Sequence, residues 1–213
     1  MPKALILYGG WEGHDPVGFN TWFTQRLEQH GFEVKSQSHT VPLSEEDVQV
    51  DLIVPHVTMD KISGESSKRI REAVLNGTGL AGIHGGMGDS FREDTEFQFM
   101  TGGQFVSHPG NIRPYSVQIK DHDHTISQGL ADFQVVTEQY FMHVDPGNHV
   151  LATTTFDGEH APWLEGIVMP VAWTRMHGKG RVFYQSIGHA LSDMQVPEVE
   201  ALTVCGLLWA AGR

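Results

Sequence analysis

Gly79-Leu80-Ala81-Gly82-Ile83-His84-Gly85-Gly86 decides the reading of this chain. An apolar run that stops on a glycine-flanked polar residue is the outline of a buried strand turning sharply into a loop or helix. One side chain is then displayed at the sheet's carboxyl edge. Glycines suit such a turn because the backbone is crowded and can require positive φ. The displayed residue is His84, where a nucleophile elbow would carry Ser or Cys.

Working outward from this strand, the preceding sequence alternates. Lys3–Tyr8 reads as a first strand, followed by a loop, Gly9–Pro16, and a helix over Asn20–His30 stopped by Gly31. Phe32–Ser38 and Leu52–Val54 read as strands, and Ser63–Asn76 as a helix with Ile70, Val74 and Leu75 on one face. This β-α-β-α-β order predicts an α/β fold: a mainly parallel open sheet, flavodoxin-like, with helices on both faces. Downstream, Arg92–Met100 reads as a helix and Gly102–Pro109 as a loop. Strands at Tyr115–Ile119, Phe133–Thr137, Val150–Thr154, Val171–Arg175 and Arg181–Ser186 are separated by short turns, which predicts antiparallel additions in the C-terminal half. A helix over Val196–Ala211 closes the chain. With no internal repeat or linker, one domain spanning 1–213 is expected.

The formal net charge of −12 disfavours a nucleic-acid partner, whose phosphates call for a basic surface. No apolar run is long enough to predict a membrane span, and a cytoplasmic setting is the default expectation. The one cysteine, Cys205, lies in the apolar stripe of the last predicted helix, which excludes an intrachain disulfide and a thiolate-rich zinc site. Thirteen histidines spread over several glycine-rich loops point instead to a polar site working near neutral pH. His14 in the first loop is a candidate substrate contact, with Trp11 as a platform for stacking a sugar. His108, before Pro109, either reaches the same site or shapes a turn. Arg175 is a candidate for binding carboxylate or hydroxyl groups. Asp121-His122-Asp123-His124 reads as a solvated turn, because neighbours in an extended chain point to opposite faces and cannot converge on one ion.

Several further motifs carry a resemblance. Gly82-Ile83-His84-Gly85-Gly86, Gly102-Gly103-Gln104-Phe105-x-x-His108-Pro109, Thr137-Glu138-Gln139-Tyr140, Pro170-Val171-Ala172-Trp173 and the segment from Gly178 to His189 occur in an order that resembles ThuA-like, trehalose-utilisation proteins of the class I glutamine amidotransferase-like superfamily. That likeness implies a role in carbohydrate metabolism. It also places His189 where the superfamily carries a late catalytic histidine, and a glutamate at Glu138. Amidotransferases use an elbow cysteine. With His84 in its place, thioester chemistry is excluded, and proton transfer or metal binding is left.

The expected catalytic set is therefore His84, His189 and Glu138. The same three residues are the expected ligands of a divalent metal, zinc by preference for an imidazole and carboxylate set. The expected function is an enzyme that hydrolyses, eliminates or isomerises a sugar or keto-sugar. The rival is a noncatalytic sugar- or partner-binding module that has lost its nucleophile. No nucleotide cofactor is expected, and a homo-oligomer is the default assembly.

Overall fold

The computed structural model describes residues 1–213. The first half alternates as the pattern requires: β1 (Lys3–Gly10), α1 (Pro16–Gln29), β2 (Glu33–Ser38), β3 (Leu52–Thr58), α2 (Gly64–Asn76), β4 (Gly79–Ile83), the short α3 (His84–Gly88) and α4 (Thr95–Thr101). Then follow β5 (Gly103–Ser107), β6 (Ile112–Ile119), β7 (Phe133–Glu138), β8 (Phe141–Val144), β9 (His149–Thr155), β10 (Val168–His177), β11 (Gly180–Gln185) and α5 (Pro197–Ala210). The main sheet has nine strands in the order β2-β1-β3-β4-β11-β10-β9-β6-β7, while β5 and β8 form a separate ribbon. Neighbours from β2 to β11 are parallel, and from β11 to β7 they are antiparallel.

Alternation along the strands explains why both faces are covered. In β1, Ala4 and Ile6 pack under α1 and α5 with Phe19, Phe23, Val199 and Leu202. Leu5 and Leu7 face the other way, towards Ile70 and Val74 of α2, Met87 of α3 and Phe97 of α4. Strands buried on both faces read as continuous apolar runs, and β4 is buried throughout.

Local chemistry sets several boundaries differently from the sequence reading. Helix α1 begins at Pro16, ahead of Asn20, because Asp15 caps it by accepting a hydrogen bond from the Gly18 N–H and Pro16 fits its first turn. Strand β3 continues past Val54 through Pro55 and His56 to Thr58. The Gly102–Pro109 segment is no simple loop: Gly103–Ser107 pairs with the unforeseen strand Phe141–Val144. The helix expected from Arg92 starts at Thr95, capped by the Asp94 side chain. No helix is long and apolar enough to cross a membrane.

Two topological facts place the site. The strand order reverses between β1 and β3, which opens a crevice at their carboxyl ends. Antiparallel reversals from β11 through β10, β9 and β6 return β7 to the direction of β11, so the end of β7 faces the same edge. Strand β6 pairs with β9 only at Gln118 and Ile119. Beyond that pairing the β6–β7 hairpin packs Tyr115, Val117, Phe133 and Val135 into the core shared with β4 and α5, and its end sets Glu138 beside the elbow.

Candidate active site at the carboxyl edge

His84 sits at the turn from β4 into α3 with φ 45°, a left-handed conformation uncommon outside glycine. The positive φ expected of the flanking glycines thus falls on the histidine itself. Gly85 and Gly86 serve close approach instead. A Cβ on Gly85 would lie 2.6 Å from His14 Cε1, and one on Gly86 would lie 2.2 Å from His56 Nδ1.

The His84 ring is fully buried and held from three sides. Nδ1 lies 2.8 Å from the Ser186 carbonyl, which can only accept, so Nδ1 carries a proton. Nε2 lies 2.8 Å from the Tyr140 hydroxyl and 3.1 Å from Glu138 Oε2. Tyr140 stacks on the imidazole at 4.1 Å, and the Tyr184 hydroxyl donates to the His84 carbonyl at 3.0 Å. In the neutral ring the Nε2 lone pair accepts from Tyr140. Glu138 Oε2 then faces that lone pair, an opposition that a shared cation or a second ring proton relieves.

Glu138 is the hub. Its Oε2 is 3.3 Å from His189 Nδ1, and its Oε1 is 3.7 Å from His108 Nε2. Burial alone would push this carboxyl up, but the contacts with His189 and His84 outweigh it and hold the group well below the usual carboxylate range. The same contact with Glu138 raises the pKa of His189, against burial. At 3.3 Å the two are close enough to interact, but the alignment is poor, and buried His189 Nδ1 is left without a well-formed hydrogen bond.

His14 completes the group. Its Nδ1 lies 2.8 Å from Thr58 Oγ1 at the end of β3, and its ring stands edge-on to His84 at 4.7 Å and to His189 at 5.1 Å. Burial, reinforced by the neighbouring His84 and His189, lowers its pKa to about 3, so it is a neutral imidazole at physiological pH.

One ligand atom from each of His14, His84, Glu138 and His189 lies within 4.8 Å of the others. A tetrahedral divalent ion with ligands at roughly 2.0–2.1 Å spaces its donors by about 3.4 Å. The four groups therefore reach one ion with small side-chain adjustments. The donor set fits on three further counts: an ionised carboxylate, an orphaned buried nitrogen on His189, and a His84 ring oriented by a carbonyl on its far side.

The sequence-derived candidates are distributed as follows. His84, Glu138 and His189 converge. His14, assigned to substrate, joins the potential metal ligands instead. His108 lines the rim, one-third exposed, and Trp11, about half exposed, stands edge-on to His14 at 4.8 Å. Arg175 is not brought here. Strand β10 runs against β11, so its carboxyl end lies at the opposite edge of the sheet, where Arg175 is held by Asp145 and Asn148, each at 3.1 Å. Tyr140 received no role from the sequence, although it ends the Thr137-Glu138-Gln139-Tyr140 motif; its nearness to Glu138 in the chain was the available signal.

Comparison with known proteins agrees with this architecture. A family model described as ThuA, trehalose utilisation, matches residues 3–210. Among solved structures, a ThuA-like protein from Parabacteroides merdae is 22% identical with a TM-score of 0.81, covering 99% of this chain and 90% of that one. A cytoplasmic protein from Salmonella typhimurium is 15% identical with a TM-score of 0.69, covering 97% and 98% of the two chains. A β-galactosidase from Bacillus circulans is 15% identical with a TM-score of 0.62, over 99% of this chain but 30% of that one. At these identities the likeness is one of fold. No curated protein sequence matches the chain.

Proposed function

This chain belongs to the ThuA, trehalose-utilisation family, and from that premise we propose that it is a cytoplasmic enzyme acting on a sugar or keto-sugar by metal-assisted acid–base chemistry. The observation that carries this reading is the convergence of His14, His84, Glu138 and His189 within 4.8 Å. These four residues would hold a divalent ion, with zinc the preferred guest for three imidazoles and a carboxylate. Such an ion supplies Lewis-acid polarisation of a substrate carbonyl or hydroxyl oxygen.

The chain's own groups divide the remaining work. Burial raises the pKa of Tyr140 well above the usual phenol range, so its hydroxyl stays protonated and serves as a hydrogen-bond and proton donor beside His84 Nε2. Glu138 remains ionised and accepts a proton or balances the charge of the centre. His108, 3.7 Å from Oε1 and one-third exposed, lines the rim where it can contact a substrate hydroxyl. The exposed indole of Trp11 offers a flat apolar face to the C–H surface of a sugar ring.

Metal analysis of the purified protein, combined with turnover assays on sugars and keto-sugars, tests the reading. We expect stoichiometric divalent metal in the wild type and its loss in His84→Ala. We expect Tyr140→Phe to retain metal but turn over more slowly, by roughly 10²–10⁴-fold. A wild type that retains no metal, turns over no sugar and binds sugar equally well as His84→Ala is a noncatalytic binding module.

A further inference from the structure

Glu138 and His189 reach each other from distant parts of the fold, and the structure contains a device that joins them. Glu138 ends β7, the outermost strand of the sheet, and β6 links that hairpin to β9 only through Gln118 and Ile119. His189 lies in the segment between β11 and the 3-10 turn Leu191–Gln195. Asp193, within that turn, is buried, and a single carboxylate oxygen, Oδ2, serves both sides. It accepts from the Thr137 hydroxyl at 2.7 Å, from the His189 N–H at 2.9 Å and from the Ala190 N–H at 3.4 Å. Thr137 immediately precedes Glu138, so one oxygen ties the residue before the carboxylate to the backbone of the histidine.

We propose that Asp193 is a positioning residue: through Thr137 and the His189 backbone it sets the separation of Glu138 from His189, and so the geometry of the ligand set. The placement itself argues for more than a turn cap. A buried carboxylate is costly without compensation, and Asp193 has no Lys or Arg within ion-pair distance. Capping the short turn requires only the Ala190 and His189 amides. The shortest of the three bonds runs instead across the fold to Thr137, where a merely local cap needs nothing. Glu138 has a second tether in the Tyr115 hydroxyl, which donates to its carbonyl at 3.2 Å. That bond fixes the height of the strand end, while the Asp193 bond fixes its distance from His189.

The metal consequence rests on the function proposed above; the positioning itself does not, and two measurements separate them. The first is crystal structures of the chelator-treated wild type, Thr137→Val and Asp193→Asn. Thr137→Val keeps its shape and loses only the hydroxyl, and it is expected to widen the 3.3 Å contact between Glu138 and His189 by about 1 Å, the scale at which active-site placement is felt. Asp193→Asn keeps an oxygen able to accept from all three donors, and should leave the contact in place. The second is zinc affinity by competition with a chromophoric chelator. Thr137→Val should weaken it about 10–100-fold, as loss of an outer-shell partner does, with Asp193→Asn near wild type. An unchanged Glu138–His189 contact in Thr137→Val overturns the positioning role and leaves Asp193 a turn cap. If the wild type binds no zinc, the metal reading fails alone and the crystal structures still decide the role of Asp193.

Discussion

Replacing His56 by Gln should flatten the acid side of the stability curve of the metal-free protein. His56 is buried in β3 against Phe19, with ring centroids 4.6 Å apart, and its Nδ1 has no partner. Burial lowers its pKa from 6.5 to about 4, despite the pull of the His14 carbonyl, which lies 3.3 Å from Nε2. Between those two values the unfolded chain binds a proton that the folded chain refuses, so stability falls as pH falls. Going from about pH 7 to about pH 5, this one residue costs about 2 kcal/mol. His14, lowered to about 3 mainly by burial, acts in the same direction and with similar size. His189 opposes both, because its raised pKa contributes stability below the unfolded value that is lost on going alkaline. Glu138, with its depressed pKa, loses its contribution only below the ordinary carboxylate value of 4.5, outside this window. Urea unfolding of chelator-treated protein at the two pH values measures the effect. Whatever the starting stability of His56→Gln, its loss on acidification is smaller than the wild type's by about 2 kcal/mol. A variant with the full wild-type acid sensitivity would refute the assignment of that sensitivity to His56.

Three other outcomes can be checked directly. Zinc at about 100 times its dissociation constant should stabilise the protein by about 2.7 kcal/mol, raising the melting temperature by roughly 5–10 °C, and His84→Ala should abolish the shift seen by calorimetry. Arg175→Ala should lower stability by about 1 kcal/mol, since it removes the hydrogen bond to Asn148, the ion pair with partly exposed Asp145 and the packing over Phe99, while zinc titration shows wild-type affinity. Gly86→Ala should lower soluble yield and unfolding midpoint together, because its Cβ would collide with buried His56.

The sequence was most legible where local pattern and burial agree. Gly79–Ile83 carries its own boundaries, and β4 occupies that span. Likewise α2 ends before Gly77 and is capped by Ser63, whose side chain accepts from the Ser66 N–H. Strands that exist only through a partner were hidden: Gly103–Ser107 has no strong apolar alternation, and its pairing with Phe141–Val144 is a long-range fact. The same limit governs the site. His84, Glu138 and His189 follow from motifs at strand ends, whereas His14 could be placed among them only by knowing that the ends of β1 and β4 converge. Arg175 shows the converse error, since a residue near the end of a strand faces the site only if that strand runs with the parallel set, and β10 does not.

The two-residue seam between β6 and β9 has a consequence for how the molecule breathes. A hairpin joined to its sheet by so little ladder has fewer cross-strand bonds to break than the parallel strands, so its opening is the less costly one. Amide protons in Ile112–Val117 and Phe133–Glu138 should therefore exchange faster than those of β1, β3 and β4. Each opening carries Glu138 away from the three imidazoles. The carboxylate then behaves as a hinged clasp, and a cation seated among the histidines would hold the last strand of the fold closed.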